Sequence, residues 1–204
     1  MSGPVVVPIV EGHSEVGSVP LLLRRVLAER GSYHISIARP VRVPRFKIVK
    51  PGELERAITL ARKNRERCDA VLVLLDAEDD CPKELAPELL DRATQANSDL
   101  PIRVVLAKTE FEAWFLGSLE SLRGFRGIPS TAQSPEEPEE IRGAKEYLTR
   151  TMLGRCTYVE VADQPAFAER FHLKDTQRRC PSFDKLVRDI AALAARLERE
   201  VLLS

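Results

Sequence analysis

The 204-residue chain is 44% hydrophobic and 30% charged, and its 31 basic and 31 acidic residues cancel to a formal net charge of zero. That balance excludes a broadly basic nucleic-acid binder of histone type but leaves room for a local basic groove, and the length suits one domain with a sizeable core. Cys68, Cys81, Cys156 and Cys180 form no C-x-x-C pair, which argues against a zinc knuckle or disulfide framework and for reduced thiols in a cytoplasmic protein.

Val5–Val10 (VVVPIV) predicts a buried strand that stops at Glu11. EGHSEVGSVP follows as a loop, and residues 19–30 predict a helix with Leu22, Leu23, Val26 and Leu27 on one face. Residues 33–43 alternate loosely, as in a second strand. Residues 52–67 predict a helix with Leu54, Ile58 and Ala61 inward. The run VLVLL, residues 71–75, suits a parallel strand covered on both faces. Pro82 is placed to open a helix. Ile102–Ala107 predicts a further strand, with Thr109 as cap of a helix over EFEAWFLGSL.

This alternation predicts an α/β fold with a mostly parallel central sheet flanked by helices. Residues 123–140, rich in Pro, Gly, Ser and Glu, predict an exposed excursion. Helical patterns follow in IRGAKEYLTRTM, in VADQPAFAERF and over residues 183–203, where Leu186, Ile190, Leu193 and Leu197 share a face. The expected organisation is an α/β core over 1–120, with an acidic loop and helical C-terminal region over 121–204 packed on it as a single compact domain. No segment approaches the ~18 apolar residues of a membrane span, so no membrane association is expected.

Acids follow three of the strands. Glu11 follows the first, Asp76, Glu78, Asp79 and Asp80 the third, and Glu110 and Glu112 the fourth. In a parallel sheet such groups collect at the carboxyl edge, near the topological switch. The concentration points to a divalent cation. Mg2+ fits, because it takes hard oxygen ligands and keeps several waters, and Mn2+ is its natural substitute. Zinc would want His or Cys, and His13, His34 and His172 have no paired spacing. In an extended segment Asp76 and Glu78 would point to the same side and clasp one ion, with Glu11 sharing it or acting as a base. Two ions ~3.5–4 Å apart would suit in-line phosphoryl transfer.

Plainer readings compete. Asp79 and Asp80 would serve as caps of the helix at Pro82, and Glu110 and Glu112 as acids favouring the start of theirs. Trp114 and Phe115 read as core anchors. GHSEV misses a nucleophile elbow because Val16 occupies the last glycine position, and there is no P-loop. ARPVRVPRFKIVK carries Arg39, Arg42, Arg45, Lys47 and Lys50 with no acid. It reads either as a phosphate-holding nucleic-acid surface or as a solvated edge strand.

An apolar strand ending in E-G, then one ending in Asp76-x-Glu78, resembles the pattern of Toprim domains. More narrowly, IVEGHSEVGSVPLLLRRVL, LLDAEDDCP, KTEFEAWFLGS and CPSFDKL resemble the DUF4276 family of Toprim-like bacterial proteins over most of the chain. The resemblance implies a Toprim, Rossmann-like fold, a metal site on Glu11, Asp76 and Glu78, and kinship with OLD-type nucleases. It also implies a setting beside ABC- or AAA-type ATPases in antiphage or mobile-element systems. Glu78 departs from the usual Asp, and Asp80 would compensate.

The expectation is a Mg2+-dependent nuclease acting on DNA or RNA. Glu11 would be ligand or base, and Asp76 and Glu78 ligands. Asp80, Glu110 and Glu112 would be further ligands or orienters, and Lys108 would neutralise transition-state charge. The rivals are a docking subunit of an ATPase and a phosphatase of small phosphates. Homo-oligomerisation stays open.

Overall fold

The structure, a computed structural model, describes residues 3–63 and 67–202. A parallel sheet forms its centre. Strand β1 (Val5–Val10) pairs with β4 (Ala70–Asp76), Val6 opposite Ala70 through Ile9 opposite Val73. Strand β5 (Ile102–Ala107) pairs with β4, from Val71 opposite Ile102 to Asp76 opposite Ala107.

The single strand expected over 33–43 is broken in two. β2 (Ser36–Ile37) and β3 (Val41–Arg42) lie in succession along the free side of β1. Four steps of β1, Val5 to Ile9, face five steps of the edge, Ser36 to Val41, so one extra residue is bulged out. Pro40 sits in the break, where its missing N–H costs the ladder nothing. The chain then turns into a one-turn helix, α2 (Arg45–Ile48), so the basic segment is not one edge strand.

Side chains alternate along each strand, and both faces are covered. Val6, Val10, Leu72, Leu74 and Val105 join a core with α1 (Glu15–Glu29) and α9 (Pro181–Leu202). Val7, Ile9, Val71, Val73, Leu75 and Val104 join a second core with α3 (Glu53–Lys63) and α4 (Pro82–Ala96). Covered on both faces, β4 is apolar up to Asp76, whereas the outer strand β5 carries the partly exposed Arg103. Among the described residues, no helix is long and apolar enough to cross a membrane.

Several predicted boundaries move. Helix α1 begins at Glu15, inside the stretch read as loop. The predicted helix over 52–67 is seen as α3, and residues 64–66 of it lie outside the described residues, as does Leu203 of the C-terminal helix. After β5, helix α5 (Ala113–Leu116) is a single turn, and Thr109, with φ 61°, stands too far before it to cap it.

Residues 123–140 are not an exposed excursion. Ile128, Ala132 and Glu139 are buried, and Glu139 accepts the Ser182 N–H at 3.1 Å. Helices α6 (Ala144–Thr151) and α7 (Glu160–Ala168) follow, then α8 (Leu173–Arg179), which the hydrophobic pattern does not announce. An aromatic cluster ties these to the sheet. Trp114 lies 5.2 Å from Phe183 and Phe115 5.5 Å from Phe167, centroid to centroid. Trp114 and Phe115 are fully buried core anchors, and the Trp114 indole N–H donates to Ser182 Oγ at 2.8 Å.

Candidate metal centre

Strand order reverses at β1, which has β2 and β3 on one side and β4 on the other. In an open parallel sheet, the crevice at such a reversal is where ligands bind, outside the carboxyl ends of the strands. Glu11 directly follows β1, Asp76 ends β4, and Glu15 opens α1. Oxygens of these three carboxylates lie within 4.8 Å of one another.

Each of the three is anchored by backbone. Glu11 Oε1 accepts the Asp76 N–H at 2.5 Å, tying the end of β1 to the end of β4. Asp76 Oδ1 accepts the Phe111 N–H at 2.8 Å, tying β4 to the turn after β5. Glu15 Oε2 accepts the N–H groups of Glu11 and Gly12, both at 3.0 Å. A Cβ at Gly12 would sit 3.3 Å from Glu15 Oε1, so glycine gives this carboxylate its place. One oxygen of each acid is spent on the scaffold, and the other is left for a ligand.

Behind them lies Glu112, fully buried. Its Oε1 accepts the Tyr158 hydroxyl and the Gln164 amide, both at 3.0 Å. Its Oε2 has no hydrogen-bond partner, and Lys145 Nζ approaches it only to 3.9 Å. Lys145 instead pairs with Glu160 at 3.1 Å, and Glu160 also accepts the Ser14 hydroxyl. An unpartnered buried carboxylate oxygen costs roughly 1–3 kcal/mol or more, so the site is short of positive charge.

The acidities agree. Burial lifts Glu15 to about 7, with the anions of Glu11 and Glu112 adding to it against two backbone N–H bonds. Burial pushes Asp76 well up, helped by Glu15, Glu112 and Glu11. Burial also raises Glu11 and Glu112. For Lys145, burial opposes the charge, but Glu112 and Glu160 outweigh it and hold the ammonium above its ordinary range. Four neighbouring carboxyls resist ionising together, and a divalent cation would relieve them. The pocket in front of Glu112, about 350 Å³, is lined by the carboxylates Glu11, Glu15, Asp76, Glu78 and Glu160 and by the cations Arg45 and Lys145, with no His or Cys. That donor set fits Mg2+ or Mn2+ and not zinc.

The other predicted residues fall elsewhere. The segment is not extended beyond Asp76, where the strand ends, and Glu78 has φ 51°, yet both residues line the same pocket. Glu78 reaches the pocket rim but is held by Arg45 at 3.2 Å, and Asp80 also pairs with Arg45. Arg45 Nε and Nη2 donate to the carbonyls of Asp76 and Ala77 at 2.8 and 3.0 Å. Asp79 pairs with Arg142 at 2.6 Å. Neither Asp79 nor Asp80 caps α4, whose N-cap is Cys81. The three acids that follow β4, Glu78, Asp79 and Asp80, are therefore each paired with an arginine. Glu110 Oε2 accepts the Lys145 N–H at 3.4 Å, a scaffold contact at the start of α6.

Lys108 is misplaced by the sequence reading. Its ammonium pairs with Glu140 and lines a different cavity, of about 920 Å³, between α4 and α9. Lys145 is the lysine at the acids. In the basic segment, Arg45 turns inward and Arg42 reaches the Glu11 carbonyl at 3.4 Å. Arg39, Lys47 and Lys50 are exposed. Sequence reasoning missed Glu15, Lys145, Tyr158, Glu160 and the rim residue Phe46. For Glu15 a signal existed, four residues after Glu11 and three after Gly12, as in a helix start that reaches back. For the residues of α6 and α7 there was none.

Residues 10–191 match a family described as Domain of unknown function (DUF4276). No curated protein and no solved structure matches the chain.

Proposed function

The chain belongs to the DUF4276 family, and since that membership assigns no activity, we propose from its site a Toprim-type, Mg2+-dependent nuclease that hydrolyses nucleic-acid phosphodiesters. The observation that carries this reading is the triad Glu11, Glu15 and Asp76, with oxygens within 4.8 Å at the strand crevice. Those three would hold the ion, and Mn2+ would replace it. Once bound, the ion supplies electrostatic stabilisation to charge developing on phosphoryl oxygens. The chain's own groups fix the geometry. The backbone N–H bonds hold the acids rigid, Arg45 clamps the turn beside Asp76, and Lys145 offsets charge on Glu112 and Glu160. In this reading the protein works in the cytoplasm, with its cysteines free, beside an ATPase partner in an antiphage or mobile-element setting.

The test is thermal stability under Mg2+ and Mn2+ titration, wild type against Asp76→Asn, followed by cleavage of DNA and RNA. Saturating cation stabilises the wild type by roughly 3 kcal/mol at a hundredfold excess over Kd, and Asp76→Asn loses both the stabilisation and the cleavage. Cleavage retained in Asp76→Asn overturns the proposal.

A second reading is a non-catalytic subunit that docks an ATPase. Lys145 favours it, because one ammonium already sits among these acids. Its signature is a cation titration that leaves the wild type unmoved.

A further inference from the structure

The rim of the acid pocket carries a large exposed aromatic. Phe46 lines the pocket with Glu11 and Asp76, yet 63% of its surface is open. It belongs to α2, whose neighbouring residues point elsewhere. Arg45 turns inward to the Asp76 carbonyl, and Ile48 is fully buried. Burial of these two fixes the turn that holds Phe46 outward. The ammonium groups of Lys47 and Lys50 each lie 5.9 Å from the Phe46 ring centroid. Arg42 stands on the preceding strand, its guanidinium 3.4 Å from the Glu11 carbonyl.

The exposed ring stands at the mouth of a carboxylate pocket with both ammonium groups over it, and it combines two recognitions once an incoming base displaces those ammonium groups from its face. A planar π-face accepts a base by stacking, whatever the base, and the ammonium groups accept the phosphates on either side. The pocket's volume, about 350 Å³, is at the small end of ligand sites and suits one nucleotide-sized group. A base within a duplex is already stacked on both faces and offers no free face to a single ring. An unpaired base does.

We propose that Phe46 is the stacking platform for an unpaired base, and that the substrate of this site is single-stranded nucleic acid or a frayed end whose phosphodiester enters the pocket. This rests on the nuclease reading above and narrows its substrate class.

The experiment measures fluorescence anisotropy of a labelled oligothymidylate and of a labelled duplex of equal length. Ca2+ replaces Mg2+ to hold the substrate uncut. The proteins compared are wild type, Phe46→Ala and Phe46→Trp. Base–aromatic stacking gives about a 5- to 100-fold loss of single-strand affinity in Phe46→Ala. Phe46→Trp restores the affinity, duplex binding is weak throughout, and the slope of affinity against salt stays that of wild type. Equal single-strand affinity in wild type and Phe46→Ala overturns the stacking role, as does preference for the duplex. Mg2+-dependent thermal stabilisation is followed in the same proteins. Stabilisation retained in Phe46→Ala leaves the metal site standing whatever the platform does, and its absence from wild type fails the underlying reading instead.

Discussion

Glu15→Gln separates a strained carboxylate from an ordinary one. Glu15 is 5% exposed and its acidity is displaced by burial from the model-compound value of 4.5 to about 7. A raised carboxyl means that the folded protein keeps a proton the unfolded chain has released. The contribution of Glu15 to stability is therefore most favourable below about pH 4.5, falls as pH rises towards 7, and levels off above it. At ~1.4 kcal/mol per pH unit the fall amounts to about 3 kcal/mol. Glutamine carries no charge at any pH, and its carbonyl oxygen still accepts the N–H groups of Glu11 and Gly12. In chelator, Glu15→Gln should equal the wild type near pH 4.5 and exceed it by up to about 3 kcal/mol at pH 8, or about 6–12 °C in Tm for a chain of this size. Mg2+ should narrow or reverse the gap, because the ion relieves in the wild type the repulsion that the variant has already lost. Urea denaturation across this pH range, with and without Mg2+, reads both effects. Parallel pH profiles for the two proteins would refute the idea that these acids are short of positive charge.

Two further changes test the correction at the turn and the packing behind the site. Glu78→Gln should keep the Mg2+-dependent stabilisation of the wild type and shift stability by under about 1 kcal/mol, because Glu78 is exposed and held by Arg45; loss of the stabilisation in thermal titration would restore Glu78 as a ligand. Gly117→Ala should cost about 1–3 kcal/mol in urea denaturation. Its Cβ would meet Cys180 Sγ at 2.7 Å and the Thr176 backbone at 3.2 Å, and a wild-type midpoint would mean that α8 is free to give way.

The sheet was legible because its residues answer to one rule. A strand covered on both faces must be apolar throughout, so VLVLL could hardly be anything else. The edge strand was illegible at Pro40, because whether proline ends a strand or only bulges it depends on the partner's free N–H and C=O groups. Residues 123–140 misled for a similar reason. Their composition is that of a surface loop, but the burial of Glu139 is decided by Ser182, 43 residues on. Site residues divided the same way. Glu11 and Asp76 are at strand ends, where topology alone brings them together. Lys108 is one residue past the end of β5, an outer strand, and its side chain lies along the α4–α9 cavity. The cation that does reach the acids, Lys145, arrives on α6, and no periodicity in α6 encodes where that helix docks.

Asp76, at the end of β4, and the three acids after it divide their labour. Glu78, Asp79 and Asp80 are answered by Arg45 and Arg142, and they fix the turn. Asp76 faces the crevice with Glu11 and Glu15, and Glu112 lies behind. Among the described residues, Lys145 is the cation closest to Glu112, and it is shared with Glu160. Without an ion, protons supply the neutralisation that Lys145 and Arg45 leave incomplete, and burial together with the mutual repulsion of the acids raises their pKa values. In the proposed reading, protons and a divalent ion compete for the same oxygens. Loading the site at neutral pH must expel the protons, and affinity for the ion must rise with pH until the cluster is empty of them. A cluster that merely decorated the surface would be exposed and already ionised. This one is partly to fully buried, backbone-anchored and incompletely paired, and the chain bears that cost at the crevice where parallel sheets bind ligands.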